Sequence, residues 1–237
     1  LRMGTWAVID KIAREYQLGD MLSEIIGGRD GSLVLDLAAY SIVTEGSAAQ
    51  HYPAYAYAHP LHTQNMHIYG DLKISDLLNK VGRDAPAAFM NRWNANRDHR
   101  EGIWIAYEST NRKCMGDVAL VEPGHSKTGS LEHIVNYAMD YDRTNSGPLF
   151  YEGYPGSIVD VSQLQMMLEK ARSYGYHHAG FILDRGYFSR ANIAYMDECS
   201  FPFVMMVKGR TSLVNSMIVE ARGTFETSRE CAVKQYH

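Results

Sequence analysis

The sequence predicts an α/β protein, in which a mixed sheet with helices follows a helical region. Three observations lead to this prediction. The apolar periodicity changes near residue 101 from the spacing of helices to the alternation of strands. Three alternating segments then precede a helix, and this helix leads into an apolar run at residues 179–183 that ends in Asp184. Because a helix joins the third segment to this run, the connection is a crossover, which places the run parallel to a neighbouring strand.

Residues 1 to about 100 have the spacing of helices. Apolar residues from Trp6 onward share one face of an amphipathic helix that stops near Gly19. Residues 33–43 form a longer apolar run, whose length favours a helix over a strand. Two shorter helices follow, and the second begins at Asp84. We therefore predict a helical N-terminal domain.

Residues 101–237 are predicted to form the domain that contains the sheet. A first strand at residues 103–108 ends in Glu108, because apolar and polar residues alternate up to that carboxylate. A second strand covers residues 133–141, and a third returns at residues 148–154 after a turn rich in Asp, Asn and Gly. Consecutive strands joined in this way form an antiparallel meander.

Helices and strands alternate in the rest of this domain. Ser162 resembles the start of a capping box, and the helix that it opens ends at Gly175, before the strand that leads to Asp184. The later elements are a helix from Ser189, a buried strand at residues 201–207 and a helix at residues 211–221. The predicted order, β-β-β-α-β-α-β-α, is that of a ribonuclease H-like fold.

This order brings two acids together. In a ribonuclease H-like sheet the first and fourth strands are neighbours, so Glu108 and Asp184 would meet at one edge of the sheet. Close carboxylates repel each other unless they are protonated or bridged by cations, and oxygen ligands suit Mg²⁺ or Mn²⁺. We therefore expect both acids to be metal ligands and catalytic residues for phosphoryl transfer. The alternative for Asp184 is a purely structural one, in which it caps the turn that follows.

Charge and hydropathy limit the partners. A net charge of -4 and a pI near 6.2 argue weakly against nucleic acid, but these values describe the whole chain and do not exclude a local basic groove. No apolar run approaches the ~18 residues of a membrane span, and the first residues do not resemble a signal peptide, so we expect a cytoplasmic protein. The candidates for a DNA-binding groove, each of which could instead be a solvated surface charge, are Lys127, Arg185, Lys208 and Arg210.

Five segments carry a resemblance to a known family. They are Tyr107-Glu-Ser-Thr-Asn111, Gly124-His-Ser-Lys127, the run from Pro148 to Asp160, Phe181-Ile-Leu-Asp-Arg-Gly-Tyr187 and Val207-Lys-Gly209. In this order they resemble the DDE transposases of the IS4 type, close to the IS1634 group, over most of the chain. The resemblance implies a bacterial insertion-sequence transposase with three acidic metal ligands, with Mg²⁺ or Mn²⁺ as cofactor and transposon-end and target DNA as partners. It leaves a homodimer open.

Two features depart from the family pattern. Glu108 stands where the family carries an aspartate, and the extra methylene displaces the carboxylate by about 1 Å, which can cost on the order of a hundredfold in rate. The family's third acid lies on a late helix, and no residue between Gly209 and His237 fits its motif. We therefore expect a C-terminally truncated fragment, with apolar surface exposed at residues 201–207 and 211–221. Three functions stay open: a transposase catalytic region, a ribonuclease H-like nuclease and a noncatalytic DNA-binding remnant.

Overall fold

A computed structural model describes most of the chain in two compact units. The units are Leu1–Arg97 and Asp98–His237. That they are independent domains stays a prediction. In the part of the chain that is described, no helix is long and apolar enough to cross a membrane. The described residues are 1–82, 84–97, 102–114, 120–126, 129–158, 160–207, 211–224 and 229.

The first unit is built of α-helices. Their bounds are α1 Gly4–Glu15, α2 Leu18–Ile26, α3 Gly28–Thr44, α4 Tyr52–Ala58, α5 Asp71–Lys80 and α6 Asp84–Ala95. The predicted helices correspond to α1, α3, α5 and α6, whereas α2 and α4 were not predicted. Gln17 adopts a left-handed backbone conformation with a φ of 54°, which separates α1 from α2. The segment predicted as one helix up to Gly19 therefore contains the end of α1 and the start of α2.

A buried acid connects α3 to the loop that follows α4. Asp36 is 1% exposed, and its carboxylate accepts hydrogen bonds from the backbone amides of His62 and Thr63 at 2.6 and 3.0 Å. These donors compensate for part of the cost of burying the carboxylate. The apolar core around it includes Leu33, Tyr40, Tyr52, Ile74 and Leu77.

The second unit contains a mixed sheet of six strands with helices between the later strands. The bounds are β1 Trp104–Lys113, β2 Glu122–His125, β3 Leu131–Asp142, β4 Gly147–Pro155, α7 Asp160–Ser173, β5 Gly180–Leu183, α8 Arg190–Glu198, β6 Phe203–Met205 and α9 Thr211–Ala221.

The strand order identifies the fold. The strands run in the order β2-β3-β1-β5-β6, and β4 pairs with β3 on the same side as β2, further along the strand. β3 is antiparallel to β1 and to β4, while β5 is parallel to β1 and β6 is parallel to β5. The predicted ribonuclease H-like fold is confirmed, with β2 as an additional strand.

The predicted end of β1 and the predicted start of α7 are wrong. β1 does not end at Glu108 but continues to Lys113, because β3 pairs with it as far as Ile134 and holds the extra residues extended. The helix predicted to start at Ser162 begins two residues earlier, at Asp160, so Ser162 lies inside α7 and is not its cap.

The last strand is shorter and more exposed than predicted. Among the described strands, β6 lies at the edge of the sheet and pairs with β5 alone. Phe201, just before it, is buried, but Val204 is 59% exposed, so the prediction of a buried strand is wrong. The expectation of exposed apolar surface is confirmed for Val204, Met206 and Val207, and for Val214, Met217, Ile218 and Val219 of α9.

Alternation along the strands gives the sheet a covered face and an open face. On β1, Ile105, Tyr107 and Ser109 are buried, whereas Glu108 between them is exposed. Phe150 lies on the covered face with Tyr107, and Lys170 of α7 lies over its ring, 5.8 Å from the centroid. The covered face is therefore the one packed against α7, and Glu108 points to the other.

Two glycines allow β2 to approach the loop that follows β4. A Cβ at Gly124 would overlap the carbonyl oxygen of Gly156, and one at Gly156 would overlap carbonyl oxygens of β2 and β3. The side-chain amide of Asn136 donates to the same loop, 2.8 Å from the carbonyl oxygen of Ile158. The two glycines therefore allow direct contact between the backbone of β2 and the loop that follows β4.

The first prediction tests this contact. We expect Gly124→Ala to lower the free energy of unfolding by about 3 kcal/mol, because the new methyl group meets backbone that must shift. Gly153→Ala is the matched control, since a Cβ there would make an ordinary contact of 3.6 Å with Leu120. It should change stability by less than about 1 kcal/mol. Urea unfolding followed by circular dichroism measures both, and equal effects would contradict the close contact.

Candidate functional site

The candidate site lies where the pairing of β1 with β5 stops. The two strands are adjacent and parallel, as predicted, and their last paired residues are Tyr107 and Leu183. Glu108 is the next residue of β1, and Asp184 is the first residue after β5. The alternation of buried and exposed residues along both strands continues to these two positions and places them on the open face. Neighbouring strands are about 4.8 Å apart. This spacing suits two carboxylates that bind a common cation.

Both carboxylates are exposed to solvent. Within the described ranges, neither Glu108 nor Asp184 makes a side-chain hydrogen bond or an ion pair. Asp184 occupies the cap position of the short 3₁₀ turn Arg185–Tyr187, but its side chain accepts no capping hydrogen bond. Among the described residues, its carboxylate therefore has no capping role, and a role in binding metal stays a prediction. Gly186 leaves space beside the carboxylate, since even a Cβ at that residue would lie 3.7 Å from Asp184 Oδ2.

The turn after Asp184 is fixed to β1 by buried contacts that the sequence did not reveal. The Tyr187 hydroxyl donates a hydrogen bond to Ser109 Oγ, and its ring lies 4.7 Å from the ring of Tyr107. The side-chain amide of Asn192, in α8, donates to the carbonyl oxygen of Tyr187 at 2.9 Å. Strand alternation places Ser109 on the covered face, but no spacing in the sequence identifies Tyr187 as its partner.

A third acid lies at the same level of the sheet but on the covered face. Asp140 pairs with Tyr107 across β1 and β3 and is completely buried. Within the described residues, neither of its carboxylate oxygens has a hydrogen-bond partner. Burial raises the pKa of Asp140 well above its usual range, and the nearby Lys170 opposes this only in part. Asp140 therefore cannot join Glu108 and Asp184, and the described residues contain no group of three metal-ligating side chains.

The predicted DNA-binding residues are placed only in part. Arg185 begins the turn next to Asp184 and is exposed. Lys127, Lys208 and Arg210 lie outside the described residues, so their role stays a prediction. Arg112, which the sequence analysis missed, is exposed on β1 on the same face as Glu108. Every second residue of a strand lies on the same face, so Arg112 could have been predicted there if β1 had been predicted to its full length.

Aromatic rings lie on the open face near the two acids. Tyr137 of β3 and Tyr151 of β4 are half-buried and stack, with centroids 5.4 Å apart. Burial raises the pKa of both hydroxyls, so they stay protonated at neutral pH. At the start of β1 the Trp104 ring lies across Gly180, where a Cβ would come within 2.7 Å of it. The acids therefore lie beside a partly apolar surface.

Comparisons with known proteins give weak structural likenesses. No protein-family model matches the sequence, and no curated protein does. The Mos1 transposase paired-end complex with left transposon end is 11% identical with a TM-score of 0.31, over 78% of this chain and 64% of that chain. The Drosophila P element transposase strand transfer complex is 11% identical with a TM-score of 0.25, over 78% and 50%. The chain thus spans less than two thirds of either neighbour, and the fold assignment rests on its own strand order and register.

The second prediction concerns Asp140. Above a pH of about 4 the unfolded chain loses the proton of this residue, whereas the folded protein keeps it, so stability falls as pH rises toward the raised pKa. Asp140→Asn removes this ionisation, and we expect it to raise the free energy of unfolding at pH 7.5 by about 2 kcal/mol. The gain should shrink to nearly nothing at pH 4. Urea unfolding at both pH values measures it.

Asp142 provides the control for this prediction. It is equally buried on the same strand, but its carboxylate accepts hydrogen bonds from the backbone amides of Thr144 and Asn145, both at 2.9 Å. Its other oxygen, Oδ2, accepts from the side-chain amide of Asn145 at 2.8 Å, so Asp142→Asn sets two amide donors against each other. This variant should therefore lower the free energy of unfolding at pH 7.5 by about 1 to 2 kcal/mol. A loss of stability in Asp140→Asn at pH 7.5 would show that its carboxylate is ionised and paired.

Proposed function

We propose that this chain carries the catalytic region of a DDE-type transposase of the IS4 type, which cleaves DNA strands and joins them to a target. One observation carries the proposal. Glu108 and Asp184 follow the last paired residues of two adjacent parallel strands, on one face, with exposed carboxylates that no described residue engages. Like charges side by side are unfavourable unless a cation joins them. The family resemblance of the segments that contain both acids supports the same proposal.

The two acids suit Mg²⁺ or Mn²⁺. Mg²⁺ is usually held by one or two carboxylates, together with several waters and the phosphates of a substrate, so Glu108 and Asp184 can supply its protein ligands. Metal ions bound there would activate a water, or later the freed 3′-hydroxyl, and stabilise the leaving oxygen of an in-line displacement at a phosphodiester. Arg185 and Arg112, both exposed, would contact DNA phosphates as positive charges.

One observation favours the noncatalytic alternative. The described residues supply two acids of the site, and one of these is a glutamate where the family has an aspartate. Such a site would bind a metal ion weakly, because each missing ligand lowers the affinity and each misplaced ligand distorts the coordination geometry. A ribonuclease H-like nuclease would use the same acids, and recognition of specific DNA ends distinguishes a transposase from it.

The third prediction tests the metal site. We expect the chain to bind Mn²⁺ with a dissociation constant on the order of 1 mM, as weak carboxylate sites do. Glu108→Gln and Asp184→Asn should each weaken binding at least about tenfold, because each removes a charged ligand. Titration followed by electron paramagnetic resonance of free Mn²⁺ measures the affinity.

The control for the metal titration is another exposed acid. Asp197 lies on α8 and is exposed, so Asp197→Asn should bind Mn²⁺ as the unaltered chain does. Unchanged binding in the double variant of Glu108 and Asp184 would exclude this pair as the metal site.

The fourth prediction concerns DNA. We expect the chain to bind duplex DNA with little sequence preference and with an affinity that falls steeply between 50 and 200 mM salt. Arg185→Ala and Arg112→Ala should each reduce the slope of log affinity against log salt by about one, the value for one lost phosphate contact. Fluorescence anisotropy with a labelled duplex measures the slope. A parallel assay with supercoiled plasmid and Mn²⁺ should show no nicking, because the described residues supply two of the three acids that the family resemblance implies.

Arg143 is the matched control for the two arginines. It is exposed in the turn between β3 and β4, where its amide bonds to the carbonyl oxygen of Trp104, at the far end of β1 from Arg112. Arg143→Ala should leave the slope unchanged. Nicking that disappears in Asp184→Asn would contradict the prediction on cleavage and would show that a further carboxylate completes the site.

A further inference from the structure

The two acids lie between two structural connections. On one side the parallel pairing of β1 with β5 ends at Tyr107 and Leu183. On the other side the Tyr187 hydroxyl donates to Ser109 Oγ, one residue beyond Glu108 on β1. Beyond the last strand pair, this hydrogen bond joins the turn that carries Asp184 to the strand that carries Glu108.

The turn itself is short and closed, so a restraint at one end acts on the other. The amide of Tyr187 donates to the carbonyl oxygen of Asp184 at 3.1 Å, which makes the segment between them a single turn. Tyr187 is 2% exposed and Ser109 is 8% exposed, so water does not compete for their hydrogen bond. Asn192 fixes the carbonyl oxygen of Tyr187 from α8.

The geometry points to Tyr187 as a positioning residue that sets the separation of Glu108 and Asp184 through its hydrogen bond to Ser109. This inference rests on the proposed function, since it assigns a role in the metal site described above. Two adjacent carboxylates without a cation repel each other and push their backbones apart where strand pairing has ended. The Tyr187–Ser109 hydrogen bond opposes that movement and keeps the two carboxylates close enough to bind one metal ion.

The hydroxyl and the ring of Tyr187 can be separated by substitution. Tyr187→Phe keeps the ring against Tyr107 and removes the hydrogen bond, while Ser109→Ala removes the acceptor and leaves the tyrosine. Both single variants should weaken Mn²⁺ binding about three- to tenfold, the effect expected for one hydrogen bond. Because they remove the same interaction, the double variant should be no weaker than either single variant.

A second measurement follows the turn without metal. Hydrogen exchange of the amides of residues 187 and 188 should be about tenfold faster in both single variants, because loss of one hydrogen bond lowers the cost of opening the turn by about that factor. Tyr195→Phe is the control, since its hydroxyl bonds to Glu169 on α7 at 3.3 Å and not to β1. It should change neither the exchange of these amides nor the Mn²⁺ affinity.

The outcomes separate this inference from the proposed function. Mn²⁺ binding that is lost in Asp184→Asn and weakened in Tyr187→Phe supports both. Binding that is lost in Asp184→Asn but unchanged in Tyr187→Phe overturns the positioning role alone. If the unaltered chain binds no Mn²⁺, the proposed function is overturned. In that case, unchanged hydrogen exchange of amides 187 and 188 in Tyr187→Phe overturns the role of Tyr187 as well. Faster exchange of these amides would still show that Tyr187 holds the turn on β1.

Discussion

The parallel pairing of β1 with β5 is the constraint on which the candidate site depends. Four residue pairs join the two strands, and those pairs fix which residues come next at the end of the ladder. Glu108 and Asp184 are far apart in the sequence, and the crossover through α7 returns the chain to lie beside β1. Buried Phe181 and Leu183 hold β5 against the covered side, so its next polar residue is directed to the open side.

The sheet also separates acids by environment. Asp140 lies on the covered face without a hydrogen-bond partner among the described residues, and burial favours its neutral form. Asp142, on the same strand and equally buried, accepts hydrogen bonds from the turn that follows. Glu108 and Asp184 are exposed to water and cations. Of these four acids, which lie on β1 and β3 and just after β5, the two that a cation could reach from solvent are therefore on the open face.

The sequence predicted the elements with strong periodicity and missed those that tertiary pairing creates. β2 contains Pro123 and Gly124, which are unfavourable in strands, and it forms because β3 offers an edge to pair with. The full length of β1 follows in the same way from its pairing with β3, and with it the position of Arg112 on the open face. The neighbouring positions of Glu108 and Asp184 could be predicted, because the order of elements determines which strands are neighbours. The hydrogen bond of Tyr187 to Ser109 could not, since it depends on how a short turn folds back onto β1.

The position of Glu108 inside β1 determines how a longer acid could be accommodated. Its backbone is held by pairing with Met139 of β3, and β1 continues for five residues beyond it. The backbone at residue 108 therefore cannot shift to offset the extra methylene that a glutamate has over an aspartate. Asp184, in contrast, leaves the ladder at once and enters a turn that is joined to β1 by the contacts of Tyr187 with Ser109 and Tyr107. Any adjustment of the distance between the carboxylates must therefore come from the glutamate side chain or from that turn.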